Sequence, residues 1–160
     1  MAVDMFLKCN GLEGESLDDK HAGEIDVLSW SWGASNSGTM HVGGGGGAGK
    51  VNVQDLSLTK YVDKSTTNLL MACHNGEHFP EMILTVRKAG KDPLEYLKIT
   101  MKKCLISSIS TGGSGGEDRL TENVGINFET VNVEYVPQKA DGGGDSPKRF
   151  GWDIGKNKKL

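Results

Sequence analysis

The sequence predicts a mainly β protein: a closed or nearly closed barrel of bulged antiparallel strands, with one short flanking helix at about 65–75. Three observations predict it. Apolar residues recur with period 2 along most of the chain, the spacing that turns one side of a strand toward a core. Within several of those runs the apolar phase changes sides, as an inserted residue would make it do. The 23 glycines among 160 residues concentrate at 43–49, 112–116 and 142–144, so loops punctuate the ordered segments.

Taken in order, AVDMFLK (2–8) opens as a strand. EIDVLSWSWG (24–33) places Ile25 and Val27 in one phase and Leu28, Trp30 and Trp32 in the other, so that Ser29, Ser31 and Gly33 line the opposite face. That face is small, polar and uncharged, suited to a surface that stays wet. SNSGTM (35–40) reads as polar and turn-like. VNVQDLSLTKYV (51–62) reads as one strand that changes phase, from Val51 and Val53 to Leu56 and Leu58. KSTTNLLMACHNG (64–76) differs: hydroxyl residues precede Leu69, Leu70, Met71 and Cys73, and Asn75-Gly76 comes after them. Ser65 or Thr66 as N-cap and Gly76 beyond the C-terminus predict a helix of two to three turns, set in one end of the barrel or against its side. MILTVRK (82–88), LEYLKITMKKCLISSIS (94–110), VGINFETVNVEYV (124–136) and KRFGWDI (148–154) complete a set of seven or eight strands. The third of these switches phase between Phe128 and Val131. A single domain over 1–154 with a basic tail at 155–160 is the organisation expected.

The net charge of −3 and a charged fraction of 24% describe an ordinary soluble balance. The densest basic stretch, Lys156-Asn157-Lys158-Lys159, is too short to track a phosphate backbone and reads as a solvated tail, which argues against nucleic acid as a partner. The opening residues lack the basic and apolar regions of a secretory signal, and no run is long enough to span a bilayer. Cys9, Cys73 and Cys104 are odd in number and form no C-x-x-C pair, as expected of reduced thiols in a protein made in the cytosol.

Four motifs invite chemistry. Gly44–Lys50 fits G-x-x-x-x-G-K, but a phosphate loop needs a buried strand before it, a helix after it and a hydroxyl following the lysine. Here SNSGTM precedes, a period-2 stretch comes after, and Val51 stands where the Mg²⁺-binding hydroxyl belongs. The glycine run reads instead as a strand-to-strand loop with Lys50 at its base. His74 and His78 have the i, i+4 spacing of two metal ligands, but Asn75-Gly76 ends the helix between them, so no metal is expected. Glu117, Asp118 and Glu122 offer paired carboxylates, yet they accompany Arg119 in a glycine-rich turn with no nucleophile; no catalytic residue and no cofactor is expected. Trp30 and Trp32 have the residue type to stack sugars or bases, but with Leu28 in the same phase they read as core.

Four blocks resemble one known family: EIDVLSWSWG (24–33), GGGGGAGKVNVQDLSLTKYVDKSTTNLLMAC (43–73), STGGSGGEDRLTENV (110–124) and VEYVPQKADG…FGWDI (133–154). Together they are similar to the haemolysin-coregulated (Hcp) proteins, the inner-tube subunits of bacterial type VI secretion, from the N-terminus to about residue 154. The resemblance implies a β-barrel that forms six-fold rings, rings that stack into a tube, a sheath around it and a spike protein at its tip. It also implies export without a signal peptide, non-enzymatic action, and a lumen that holds small effector proteins. With only six residues after Ile154, this subunit is expected to carry cargo rather than be cargo.

On that basis Ser29 and Ser31 are expected to face the lumen. His41, Gly43, Gly44, Gly45, Gly46, Gly47 and Lys50 are expected to reach a neighbouring subunit or ring, and Glu117, Asp118 and Arg119 to sit at a ring edge. Two readings from other classes stand beside it: a secreted carbohydrate-binding β-domain using Trp30 and Trp32, and a nucleotide-binding enzyme using the Gly44–Lys50 loop.

Overall fold

The computed structural model describes residues 2–41 and 47–160. Its strands are β1 (Val3–Lys8), β2 (Ile25–Ser31), β3 (Ala34–Gly38), β4 (Ala48–Val53), β5 (Leu56–Tyr61), β6 (His78–Lys88), β7 (Glu95–Thr111), β8 (Thr121–Tyr135), β9 (Lys148–Asp153) and β10 (Lys158–Lys159), with one helix, α1 (Thr66–Asn75), between β5 and β6. Six antiparallel strands close into a barrel in the order β8-β5-β2-β1-β6-β7, the ring being completed by pairing of β7 with β8. The expected fold class is therefore correct.

β8 is long enough to serve two neighbours. Its first half, Thr121–Ile126, pairs with β5, and its second half, Thr130–Tyr135, pairs with β9. β9 and β10 thus extend the sheet past the barrel, and the basic C-terminal segment turns back to place Lys158 opposite Asp153. The interior is filled by alternate residues of every barrel strand, among them Leu7, Ile25, Leu58, Leu84, Met101 and Ile126. Burying such side chains is worth roughly 1.5–3 kcal/mol each and drives closure.

The three phase changes have three different origins. In β2 it is a true bulge, a register shift between Val27 and Ser29 against β5. Leu28 occupies the bulge and is exposed, so it does not share the core face of Trp30 and Trp32 as expected. The 51–62 stretch is two strands, because the chain leaves the β3–β4 pair after Val53 and enters the barrel at Leu56. In β8 the change falls at Glu129–Thr130, where β7 changes phase with it: Lys103 takes a φ of 54°, and the β7–β8 register is the same on both sides.

SNSGTM is not a turn. Ser35–Gly38 belong to β3, which pairs with β4 as a separate two-stranded sheet. Wholly exposed and without a valine or aromatic, the segment carries none of the pattern that marks a strand. Gly49 packs against Ser37 across the pair, where a Cβ would make the Ser37 hydroxyl rotate away. Lys50 accordingly lies within β4, not at the base of a loop.

The helix ends at Gly76, as predicted, with a φ of 68°. Its start has Ser65 at the N-cap position, as expected, but the capping bonds come from a neighbour. Asp63 Oδ1 accepts from the Ser65 N–H at 2.9 Å, and the Asp63 N–H donates to Thr66 Oγ1 at 3.1 Å, so Asp63 does the capping and Ser65 makes no side-chain cap. Leu69 and Ala72 join the barrel's core, and Thr66 donates to Glu122 Oε2 inside the barrel, so the helix start plugs that end.

Candidate functional site

The outward side of β2, β5, β8 and β7 holds a patch that the sequence only partly announces. Strand registers align Ser29 with Thr59, Asn123 and Ser110, and in the next row Ser31 with Ser57, Gly125 and Ser108. Two rows of small, polar, uncharged residues thus cross four neighbouring strands. Thr59 Oγ1 donates to Asn123 Oδ1 at 2.7 Å, tying the first row together. At Gly125 a Cβ would press on the Ser107 and Ser108 hydroxyls, so glycine keeps this surface shallow.

Charge appears only at the patch's margins. Beside one, Asp55 accepts from Ser107 Oγ at 2.7 Å and from Asn127 Nδ2 at 2.8 Å. Beyond the other, Arg119 lies over the Tyr61 ring, 3.7 Å from its centroid, a cation–π contact that fixes the guanidinium. Since Asp55, Ser57, Thr59 and Tyr61 alternate along one chain, Arg119 closes the same face that Asp55 opens.

The expected site residues divide accordingly. Ser29 and Ser31 are exposed and adjacent in the patch. Arg119 stands at its margin, with Glu117 and Asp118 exposed in the β7–β8 connection. His41 and Gly47 lie in the β3–β4 connection and Lys50 is exposed on β4, all three outside the barrel sheet that carries the serine rows. Gly43, Gly44, Gly45 and Gly46 lie outside the described residues. Ser57, Thr59, Asn123, Ser108 and Ser110 escape a reading of the sequence; the signal for them is the polar alternate positions of 51–62 and the SSIS stretch, readable only once the strands are paired.

The two tryptophans are half-buried against the core, and the Trp32 indole N–H donates to the Gln54 carbonyl at 2.9 Å. Neither ring is a free stacking platform. The glycine–lysine motif runs into β4, a strand, so no helix N-terminus faces it. His74, in the last turn of α1, bonds the Leu70 carbonyl, while His78 begins β6. Among the described residues no three metal-ligating side chains converge, and no helix is long and apolar enough to cross a membrane.

Residues 6–135 match the family described as "Type VI secretion system effector, Hcp". The chain belongs to the Hcp family of type VI secretion. It is 65% identical over 159 residues to Protein hcp1 of Pseudomonas aeruginosa, covering 98% of each chain. Hcp1 from Salmonella typhimurium superposes with a TM-score of 0.83 at 43% identity, covering all of both chains. A further solved type six secretion system protein gives 0.94 at 33% identity over 99% of this chain and 100% of its own. As an Hcp protein, the chain is a structural, secreted component of that system, and neither the carbohydrate-binding nor the nucleotide-binding reading is favoured.

Proposed function

We propose that this Hcp protein assembles as six-subunit rings whose lumen is lined by the serine–asparagine face of β2, β5, β8 and β7, and that the lumen carries small effector proteins. The observation that supports this most is the pair of cross-strand rows through Ser29 and Ser31. Four strands of small hydroxyl and amide side chains bind water well and offer no charge, with Leu28 at the β2 bulge the apolar side chain exposed beside them, so cargo is held loosely and released.

In this reading the rings close through a contact between unlike patches, and a second such contact stacks them into a tube. The β3–β4 hairpin, a separate sheet beyond the barrel ladder, is the element built to reach a neighbour. The subunit acts without catalysis. It is made in the bacterial cytoplasm, and leaves the cell within a tube that engages the system's sheath and spike.

Solution mass tests the assembly: about six subunits is expected, and a monomer overturns it. Ser31→Phe tests the lumen. The substitution lies on an exposed face, so ring mass is expected to persist while co-purification of effectors falls. Retention at the wild-type level would place the cargo elsewhere.

A further inference from the structure

The segment between β1 and β2 folds over the outside of β1 and β6, and it presents one leucine to solvent. Leu17 is 96% exposed. Its neighbours are firmly held. Ser16 is buried and exchanges backbone bonds with Gly23 and Glu24, and Asp18 grips Arg87 through both oxygens at 2.6 and 3.0 Å. A leucine fixed in water by its own flanks is pre-organised for contact. Near it in the chain are Glu13, Glu15 and Asp19, all exposed, against one exposed lysine, Lys20, so the segment's surface is net acidic.

A hole with the opposite surroundings lies elsewhere. Trp32, Val51 and Val53 on one side and Val131, Phe150 and Trp152 on the other line a cleft of about 300 Å³. Its lining exposes no polar surface, and Phe150 is 50% exposed. The strand that supplies Phe150 and Trp152 begins with Lys148 and Arg149 and is followed by Lys156, Lys158 and Lys159, all exposed. Of these, Arg149 alone has a carboxylate partner among the described residues, Glu134.

The acidic knob and the basic-rimmed hole do not meet within one chain. β1 and β9 are separated in the sheet by β6, β7 and β8, four strand spacings or roughly 19 Å along the curved surface. A knob on one flank and a complementary hole on another make a head-to-tail contact between copies, the kind that closes into a ring.

We infer that Leu17 of one subunit seats in the Trp32–Phe150–Trp152 cleft of the next, with Glu13 and Asp19 facing Lys148 and Lys159, which the register sets on the same face as Phe150 and Trp152. The inference rests on the ring reading and names the surfaces that close the ring. Opposite charges at the rim guide the approach and make assembly sensitive to salt.

The test is solution mass against protein concentration. Leu17→Gln changes only an exposed side chain and is expected to weaken ring association by about tenfold or more, as loss of a central apolar anchor does. Glu13→Lys with Asp19→Lys is expected to dissociate rings, as is Lys148→Glu with Lys159→Glu. Mixing these two variants should restore mixed rings. If the wild type forms rings and all of these variants form them equally well, the cleft is not the ring contact and is open to some other partner, which overturns the inference and leaves the ring reading standing. If the wild type is itself a monomer, both fall.

Discussion

Lys60 and Glu122 face each other across β5 and β8 with both side chains turned into the barrel, Nζ 2.5 Å from Oε2. Both are almost fully buried. Lys60 also reaches Asp63 Oδ1 at 3.0 Å and the Tyr61 carbonyl at 2.8 Å, and Thr66 donates to the same Glu122 oxygen at 2.8 Å. The interior rows Leu56-Leu58-Lys60 and Glu122-Val124-Ile126 therefore end in an ion pair that fastens the helix start into the barrel's end. Removing one charge leaves the other buried and unpaired, so Lys60→Met should destabilise the fold by about 3–5 kcal/mol. Lys60→Met combined with Glu122→Met should recover most of that loss. Denaturant unfolding at fixed protein concentration measures both, and equal losses in the single and double variants would refute the pairing argument.

A second ion pair holds the outer loop. Arg87, itself buried, grips Asp18 bidentately, reaches Asp4 at 3.1 Å and lies over Phe6, whose ring also stacks on His21. The guanidinium's hydrogen bonds hold the Asp18 carboxyl well below its ordinary value, at about 2. A depressed carboxyl contributes stability that is complete above its unfolded value near 3.8 and is lost as pH falls through about 2. The wild type should therefore exceed Asp18→Asn in thermal midpoint at pH 6, and the two should converge by about pH 2. A constant difference across that range would show that the pair contributes through shape rather than charge.

The three cysteines should separate by reactivity. Burial pushes the Cys9 and Cys104 thiols up to about 12, so almost no thiolate exists at neutral pH. Cys73, on α1, is only half-buried. A maleimide probe on the native protein should label Cys73 first, with Cys9 and Cys104 labelled only after unfolding. Mass mapping of the labelled peptides reads this directly, and early labelling of Cys104 would contradict the packing described.

How much of this the sequence discloses depends on where each signal lives. Alternation marks the barrel strands because each has one buried and one wet side, and it places Ser29 and Ser31 outside with the tryptophans inward. It cannot assemble the serine rows, since Ser31, Ser57, Gly125 and Ser108 become neighbours only through pairing between distant segments. Lys60 is invisible for a related reason: in the local pattern it interrupts an apolar row, and only Glu122, 62 residues on, makes its burial tolerable. The β3 strand looks like a turn in the sequence because Ala34–Gly38 buries nothing and so has no pattern to show. The strand after the glycine motif is legible from Val51 and Val53, and it alone suffices to exclude a phosphate loop. The polar segment before the motif gives no such warning that it too is a strand.

That hairpin supplies the remaining prediction. Among the described residues β3 and β4 pair only with each other, and they join the barrel at Gly33–Gln54, where the Gln54 N–H donates to the Gly33 carbonyl at 2.9 Å and the Trp32 indole donates to the Gln54 carbonyl. These bonds fix the hairpin's root. Replacing Gly43–Gly47 by a two-residue turn leaves these root bonds in place, and the barrel's circular dichroism and thermal midpoint should therefore change little. Ring mass should persist, while stacked tubes in electron micrographs should become shorter or disappear. Tubes of undiminished length would remove the hairpin tip from the stacking contact, and a collapse of the thermal midpoint would mean that the tip packs on the barrel instead.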